Sequence, residues 1–134
     1  SNGGYGLNNQ ATGAMYIGDA NVKGGVYNLG NLEIDGAEIF QHISDRHAVY
    51  VWEGTLTINS GEFDSNSRNE LILADGEGAS VTLNDGTYNK TAKSWLFGAA
   101  TNKNITFTIN LIGNFINSNH LYHSFFFLLI SRKF

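Results

Sequence analysis

The sequence predicts an all-β chain wound as a parallel β-solenoid, and three observations carry that reading. The phrase Leu56-Thr57-Ile58-Asn59-Ser60-Gly61-Glu62-Phe63 returns as Val81-Thr82-Leu83-Asn84-Asp85-Gly86-Thr87-Tyr88. Weaker copies flank it at an interval of roughly 25 residues, the spacing of units that bury a core by stacking on their neighbours. Finally, the β-branched and aromatic residues fall in runs of three to five separated by Gly, Asn, Asp and Ser, without a sustained 3.6-residue period.

Val22, Ile34, Ile58, Leu83 and Ile109 serve as register marks, with intervals of 12, 24, 25 and 26 residues. Tyr27, Ile39, Phe63, Tyr88 and Phe115 then close each copy. The last copy carries an extra residue and has lost its compact turn. A second apolar segment precedes several copies: Ala14–Ile17, Ala48–Trp52, Leu71–Leu73 and Trp95–Phe97. Each coil therefore holds two or three short strands joined at polar corners.

A hairpin meander would also use short strands, but near-identical phrases at a constant interval favour a coil that returns parallel to itself. Consecutive coils then lie about 4.8 Å apart. Leu56, Ile58 and Phe63 are expected to stack inward on Val81, Leu83 and Tyr88, with Thr57 and Thr82 outward. Asn59 and Asn84 should share a corner with Asp35 and Asn110, where stacked amides satisfy turn backbone.

These phrases resemble the coils of right-handed parallel β-helix proteins of the pectin-lyase-like superfold, especially repetitive adhesin-like surface proteins of gut bacteria. The resemblance covers about 13–115 and implies a right-handed parallel β-helix of about four to five coils. Residues 1–12 are expected as a polar, Gly-rich lead-in or cap, 13–116 as the coils, and 117–134 as an apolar C-terminal cap or attachment segment. The resemblance further implies an extracellular or bacterial cell-surface location. It specifies architecture far better than activity, because one superfold hosts many functions.

Composition narrows the chemistry. The chain has 134 residues, 16 Gly, no Pro and no Cys, which removes disulfides, thiolate metal sites and a Cys nucleophile. No secretion signal is legible at the start, and two Asn-x-Thr sequons, at Asn89 and Asn104, are expected by chance in so Asn- and Thr-rich a chain. All 12 acidic residues precede residue 86, whereas five of the eight Lys and Arg follow it. Such polarity favours head-to-tail self-association through the coil ends or a charged ligand at one end. The basic residues form no patch with interleaved aromatics, so no nucleic acid partner is expected. The apolar run near the C-terminus is about 10 residues, half the roughly 20 that a transmembrane helix needs.

Candidate sites follow from the outward positions. Alternation through Val49-Tyr50-Val51-Trp52 should turn Tyr50 and Trp52 outward beside Glu53, a platform on which rings stack on sugar C–H faces and the carboxylate accepts from hydroxyls. Trp95 reads as packing. Glu38 and Glu62 should be neighbours one coil apart, where the paired carboxylates could share a Ca²⁺; a solvated acidic face, with Glu33 and Asp35, is the plainer account. Asp45-Arg46-His47, with His42 nearby, combines acid, cation and base in one loop, yet lacks a nucleophile or a recognised motif. His120 and His123 have ligand-like spacing and no evident third partner. Thr55 and Thr57, Ser80 and Thr82, Thr106 and Thr108 form an outward T-x-T array, with Glu33 extending one column, similar to the ice-binding faces of some antifreeze solenoids.

The sequence therefore points to a non-catalytic adhesin-like or structural module, its partner a polysaccharide or surface glycan lying along an outer sheet. A polysaccharide lyase or glycoside hydrolase of the same superfold is the alternative, and ice binding a distant third. No catalytic residue is assigned.

Overall fold

The computed structural model describes residues 4–92 and 95–110, and the backbone of 122–123. Among these residues there are thirteen strands and no helix. They are β1 (Leu7–Asn9), β2 (Ala14–Ile17), β3 (Asn21–Lys23), β4 (Val26–Asn28), β5 (Asn31–Gln41), β6 (Val49–Val51), β7 (Thr55–Ser65), β8 (Ile72–Ala74), β9 (Ser80–Leu83), β10 (Thr87–Lys90), β11 (Phe97–Ala99), β12 (Thr106–Ile109) and β13 (Tyr122–His123). One sheet has the order β1-β4-β6-β8-β11-β13; the other runs β12-β9-β7-β5-β2, with β3 added to β5 and β10 to β7. Every pairing is parallel. The result is a β-solenoid in which β4–β5, β6–β7 and β8–β10 form the three most regular turns, begun by β1–β3 and continued by β11–β12, in rough agreement with the expected coil count.

Like stacks on like because the corner lengths repeat. On the first sheet Val26, Val49, Ile72 and Phe97 share one inward column. On the second, Leu32, Leu56, Val81 and Phe107 form another, and Ile17, Ile34, Ile58, Leu83 and Ile109 a third. A final column, Val22, Ile39, Phe63 and Tyr88, closes the core beyond a polar bend. All of these side chains are buried, and a fully buried aliphatic contributes roughly 1.5–3 kcal/mol. The core aromatics form a chain: Phe63 stacks on Tyr88 at 5.2 Å, Tyr88 meets Phe97 edge-on at 5.1 Å, and Phe97 lies 5.9 Å from Phe107. The Tyr88 hydroxyl reaches out to donate to the Asp85 carbonyl at 2.9 Å, so that its burial leaves no hydroxyl unpaired.

The register departs from the sequence reading in the first coil. Val22 pairs with Ile39, and it is Ile17 that pairs with Ile34. Tyr27 does not close a copy; it lies on the first sheet opposite Tyr50. Likewise, Ala14–Ile17 belongs to the second sheet, paired with β5, while β1 supplies the first-sheet strand of that coil from within the expected lead-in. The physical reason is that four residues, 18–21 and 35–38, separate the two inward columns equally in both coils, whereas the first coil is shorter overall.

Two corners are tied by side-chain amides. Asn110 donates to Asn84 at 3.0 Å, Asn84 to Asn59 at 2.9 Å, and Asn59 to the Glu33 carboxylate at 2.8 Å. Asp35, expected in this ladder, is displaced by a register shift beside it and instead accepts from Ser60 Oγ at 2.7 Å. The second corner is buried. Asn9 donates to Asn28 Oδ1 at 2.8 Å, and Asn28 Nδ2 in turn donates to the carbonyls of Gly30 at 2.8 Å and Thr55 at 3.1 Å. Phe115, His120 and the C-terminal segment 117–134 lie outside the described residues, apart from the two-residue backbone pairing of β13 with β11.

Candidate functional site

The outward side of the first sheet carries an aromatic cluster. Val49 and Val51 are fully buried, so the pleat turns Tyr50 outward between them, as alternation requires. Tyr27 occupies the same position one coil earlier, and its ring meets Tyr50 edge-on at 5.3 Å. Tyr5, from the segment before β1, lies against both, 5.6 Å from Tyr27 and 6.2 Å from Tyr50. Trp52 follows at the corner, 37% exposed and 6.0 Å edge-on from Tyr50. The Trp52 backbone N–H donates to the Asn28 carbonyl at 2.9 Å. Gly76 lets the following coil pass beneath: a Cβ there would stand 1.4 Å from the Trp52 carbonyl oxygen. Below Tyr50 the column continues as Leu73 and Gly98, so the ring cluster stops at β6.

Charges frame the rings. The Tyr50 hydroxyl donates to Asp75 Oδ2 at 2.6 Å, which fixes the ring's attitude. Burial, reinforced by the Asp75 carboxylate, raises the Tyr50 phenol well above its ordinary value. Burial also pushes Tyr5 up to about 12, and raises Tyr27 with help from the Glu53 and Asp75 charges. All three phenols therefore stay neutral donors through physiological pH. Glu53 is exposed beside Trp52, and Lys103 Nζ sits 5.7 Å from the indole centroid, within cation–π range. The arrangement offers flat apolar rings bordered by two carboxylates and an ammonium, donors and acceptors that a polyhydroxylated ligand can use.

The sequence pattern places Tyr50, Trp52 and Glu53 together on this face, and the structure adds Tyr5, Tyr27, Asp75 and Lys103 around them. Tyr27 was accessible, because Val26-Tyr27-Asn28 and Val49-Tyr50-Val51 share a pattern and lie close to one repeat apart. Nothing local marks the other three.

The remaining candidates separate. Glu38 and Glu62 are adjacent in register and both exposed, as expected, and Glu38 accepts from Asn21 Nδ2 at 3.2 Å. Among the described residues no three His, Cys, Asp or Glu side chains converge. Two carboxylates with an amide donor on one of them supply few of the roughly six to eight oxygens that Ca²⁺ takes. Asp45 and Arg46 pair with each other at 3.1 Å at the surface, while His47 turns inward. Its Nδ1 lies 2.7 Å from the Glu70 carbonyl oxygen, an acceptor, so the neutral ring holds its proton there. Burial lowers the His47 pKa against the opposing pull of Glu70. His42 stays exposed near Phe40. The loop thus brings together no catalytic trio.

Lys90 is a buried cation that sequence reasoning passed over. Its Nζ donates to the carbonyls of Ser67 at 2.6 Å and Asn69 at 2.5 Å, closing the loop that follows β7. Burial brings its pKa down to about 8.

No family model, curated protein or solved structure matches the chain. Among the described residues no helix is long and apolar enough to cross a membrane.

Proposed function

We propose that this solenoid is a non-catalytic binding module of an extracellular or cell-surface protein, of the adhesin type, and that it contacts carbohydrate at the aromatic corner of its first sheet. The observation that carries the reading is the half-open Trp52 ring set in line with Tyr50 and Tyr27, with Glu53 and Asp75 at its borders. Sugars present C–H faces that stack on such rings and hydroxyls that pair with such carboxylates. The resemblance of the repeat phrases to adhesin-like β-helices supports the same class. Hydrolysis or lyase chemistry draws less support, since His47 is buried against a carbonyl and Glu38 and Glu62 stand on an exposed face.

The test is electrophoresis of the native protein through gels containing neutral and acidic polysaccharides, with and without Ca²⁺. One or more polymers should retard the wild-type protein, and Trp52→Ala should cut the retardation constant at least fivefold. Unchanged mobility in every gel refutes carbohydrate contact and leaves a spacer role. Shortening of the polymer that Glu38→Gln or Glu62→Gln abolishes would establish an enzyme instead.

A further inference from the structure

The second sheet presents a different outward face. Its side chains form two parallel columns: Ala14, Asn31, Thr55, Ser80 and Thr106 in one, Tyr16, Glu33, Thr57, Thr82 and Thr108 in the other. The columns stand about 6.6 Å apart along the strands, and five rungs span about 19 Å along the solenoid axis. Between the first three rungs lies a groove lined by Ala14, Tyr16, Asn31, Glu33, Thr55 and Thr57. Tyr16 is 63% exposed, the most exposed large apolar side chain among the described residues.

Neighbouring groups are organised rather than random. Thr55 Oγ1 donates to Asn31 Oδ1 at 3.0 Å, and Asn59 donates to Glu33 Oε1 at 2.8 Å, so both columns are held in place from within the sheet. Each Thr or Ser hydroxyl can donate and accept. The ten positions include no Lys, Arg or His, and their one charge is the Glu33 carboxylate.

We propose that this furrow is a second glycan-contact site, taking an uncharged linear polysaccharide laid across the strands, with Tyr16 stacking on a pyranose ring and Glu33 accepting from its hydroxyls. The chemistry selects the class. Anionic polymers and nucleic acids are repelled by Glu33 and meet no cation, whereas a neutral chain of hydroxyls finds a complementary row at every rung. The exposed phenol ring supplies apolar contact at the first rung of the furrow. Five of the ten positions are Thr, which adds methyl groups that pack against ring C–H without a charge to desolvate. The site shares no residue with the Trp52 corner and extends the carbohydrate reading to a second face.

The experiment uses the full chain, with hydroxyethylcellulose and galactomannan as neutral probes and polygalacturonate as the acidic one. In ¹⁵N–¹H titrations a neutral probe should shift the amides of β2, β5, β7 and β9 on their outward positions, and polygalacturonate should not. Tyr16→Ala and the isosteric Thr57→Val/Thr82→Val pair should each weaken neutral-probe binding at least fivefold, with Trp52→Ala leaving the second-sheet shifts in place. Shifts confined to residues 50–53 and abolished by Trp52→Ala would overturn the furrow and keep the aromatic corner. Loss in Tyr16→Ala alone, with Trp52→Ala unchanged, would keep the furrow and overturn the corner. Absence of second-sheet shifts with both neutral probes overturns the furrow whatever the variants do.

Discussion

Replacing Asn28 by Ala tests whether a buried corner depends on one side-chain amide. Asn28 is completely buried, accepts from Asn9, and donates to the carbonyls of Gly30 and Thr55. Those carbonyls sit on successive coils, so the amide joins three turns of the solenoid at a point where the backbone cannot ladder with itself. A net hydrogen bond is worth about 1 kcal/mol, and each buried group left dry costs about 1–3 kcal/mol. The variant loses these three bonds and leaves the facing carbonyls without their donor, while Asn9 Nδ2 keeps the Asn31 carbonyl at 2.9 Å, so the loss should be about 3–4 kcal/mol. Asn59→Ala is the control. Asn59 stands in the outer ladder, half-exposed, where water replaces the lost partners, and its removal should cost under about 1 kcal/mol. Urea unfolding followed by far-UV circular dichroism gives both values, provided the slope with denaturant is unchanged. If Asn28→Ala loses no more than Asn59→Ala, the buried amide is not what holds the corner.

Gly54 has φ of +76° and a Cβ there would stand 2.1 Å from the Gly30 carbonyl oxygen, so Gly54→Ala combines a left-handed penalty with a backbone clash. A loss of at least about 2 kcal/mol is expected in the same urea assay. Stability should depend on pH in three windows. Burial lowers His47, so the unfolded chain binds the extra proton first and stability falls as pH drops below about 6.5. Lys90 is depressed to about 8, so the unfolded chain holds more protons above that value and stability rises toward pH 10. Beyond pH 10 the raised phenols of Tyr5, Tyr50 and Tyr88 reverse the trend, because unfolded tyrosines ionise first. Thermal midpoints of Lys90→Met should lack the rise between pH 8 and 10; its persistence would assign that rise elsewhere.

The repeated phrase made the middle of the fold legible. Leu56 on Val81, Ile58 on Leu83 and Phe63 on Tyr88 are paired as the phrase requires, Thr57 and Thr82 face outward, and Asn59, Asn84 and Asn110 form the expected ladder. The first coil misled for a specific reason. A step of five positions leads from Ile34 to Ile39, from Ile58 to Phe63 and from Leu83 to Tyr88, and the same step leads both from Ile17 to Val22 and from Val22 to Tyr27. A local spacing rule therefore fits twice, and only the long-range pairing of Val26–Asn28 with Val49–Val51 chooses between the two. At the site, Tyr50 and Trp52 could be read from strand alternation, since both lie on one short segment. Tyr5, Asp75 and Lys103 reach them from other coils through loops whose lengths the repeat does not fix.

Inward and outward columns of this solenoid obey different constraints. An inward residue must fit the one above and the one below, so Ile17, Ile34, Ile58, Leu83 and Ile109 barely vary. Outward columns are free of that demand, yet they are not uniform along the axis. The first sheet runs Asn8, Tyr27, Tyr50, Leu73, Gly98, and the second Tyr16, Glu33, Thr57, Thr82, Thr108. On the first face the rings occupy the second and third coils, between Asn8 and Leu73; on the second, Tyr16 and Glu33 open the column and Thr fills the later coils. Mutual packing of Tyr5, Tyr27 and Tyr50 accounts for the first cluster, whereas Tyr16 on the second sheet is 63% exposed. On the proposed carbohydrate reading, outward substitutions at Thr106 or Thr108 should weaken polysaccharide binding less than those at Tyr16 or Trp52, and equal losses in the same affinity gels would refute a footprint centred on the exposed rings.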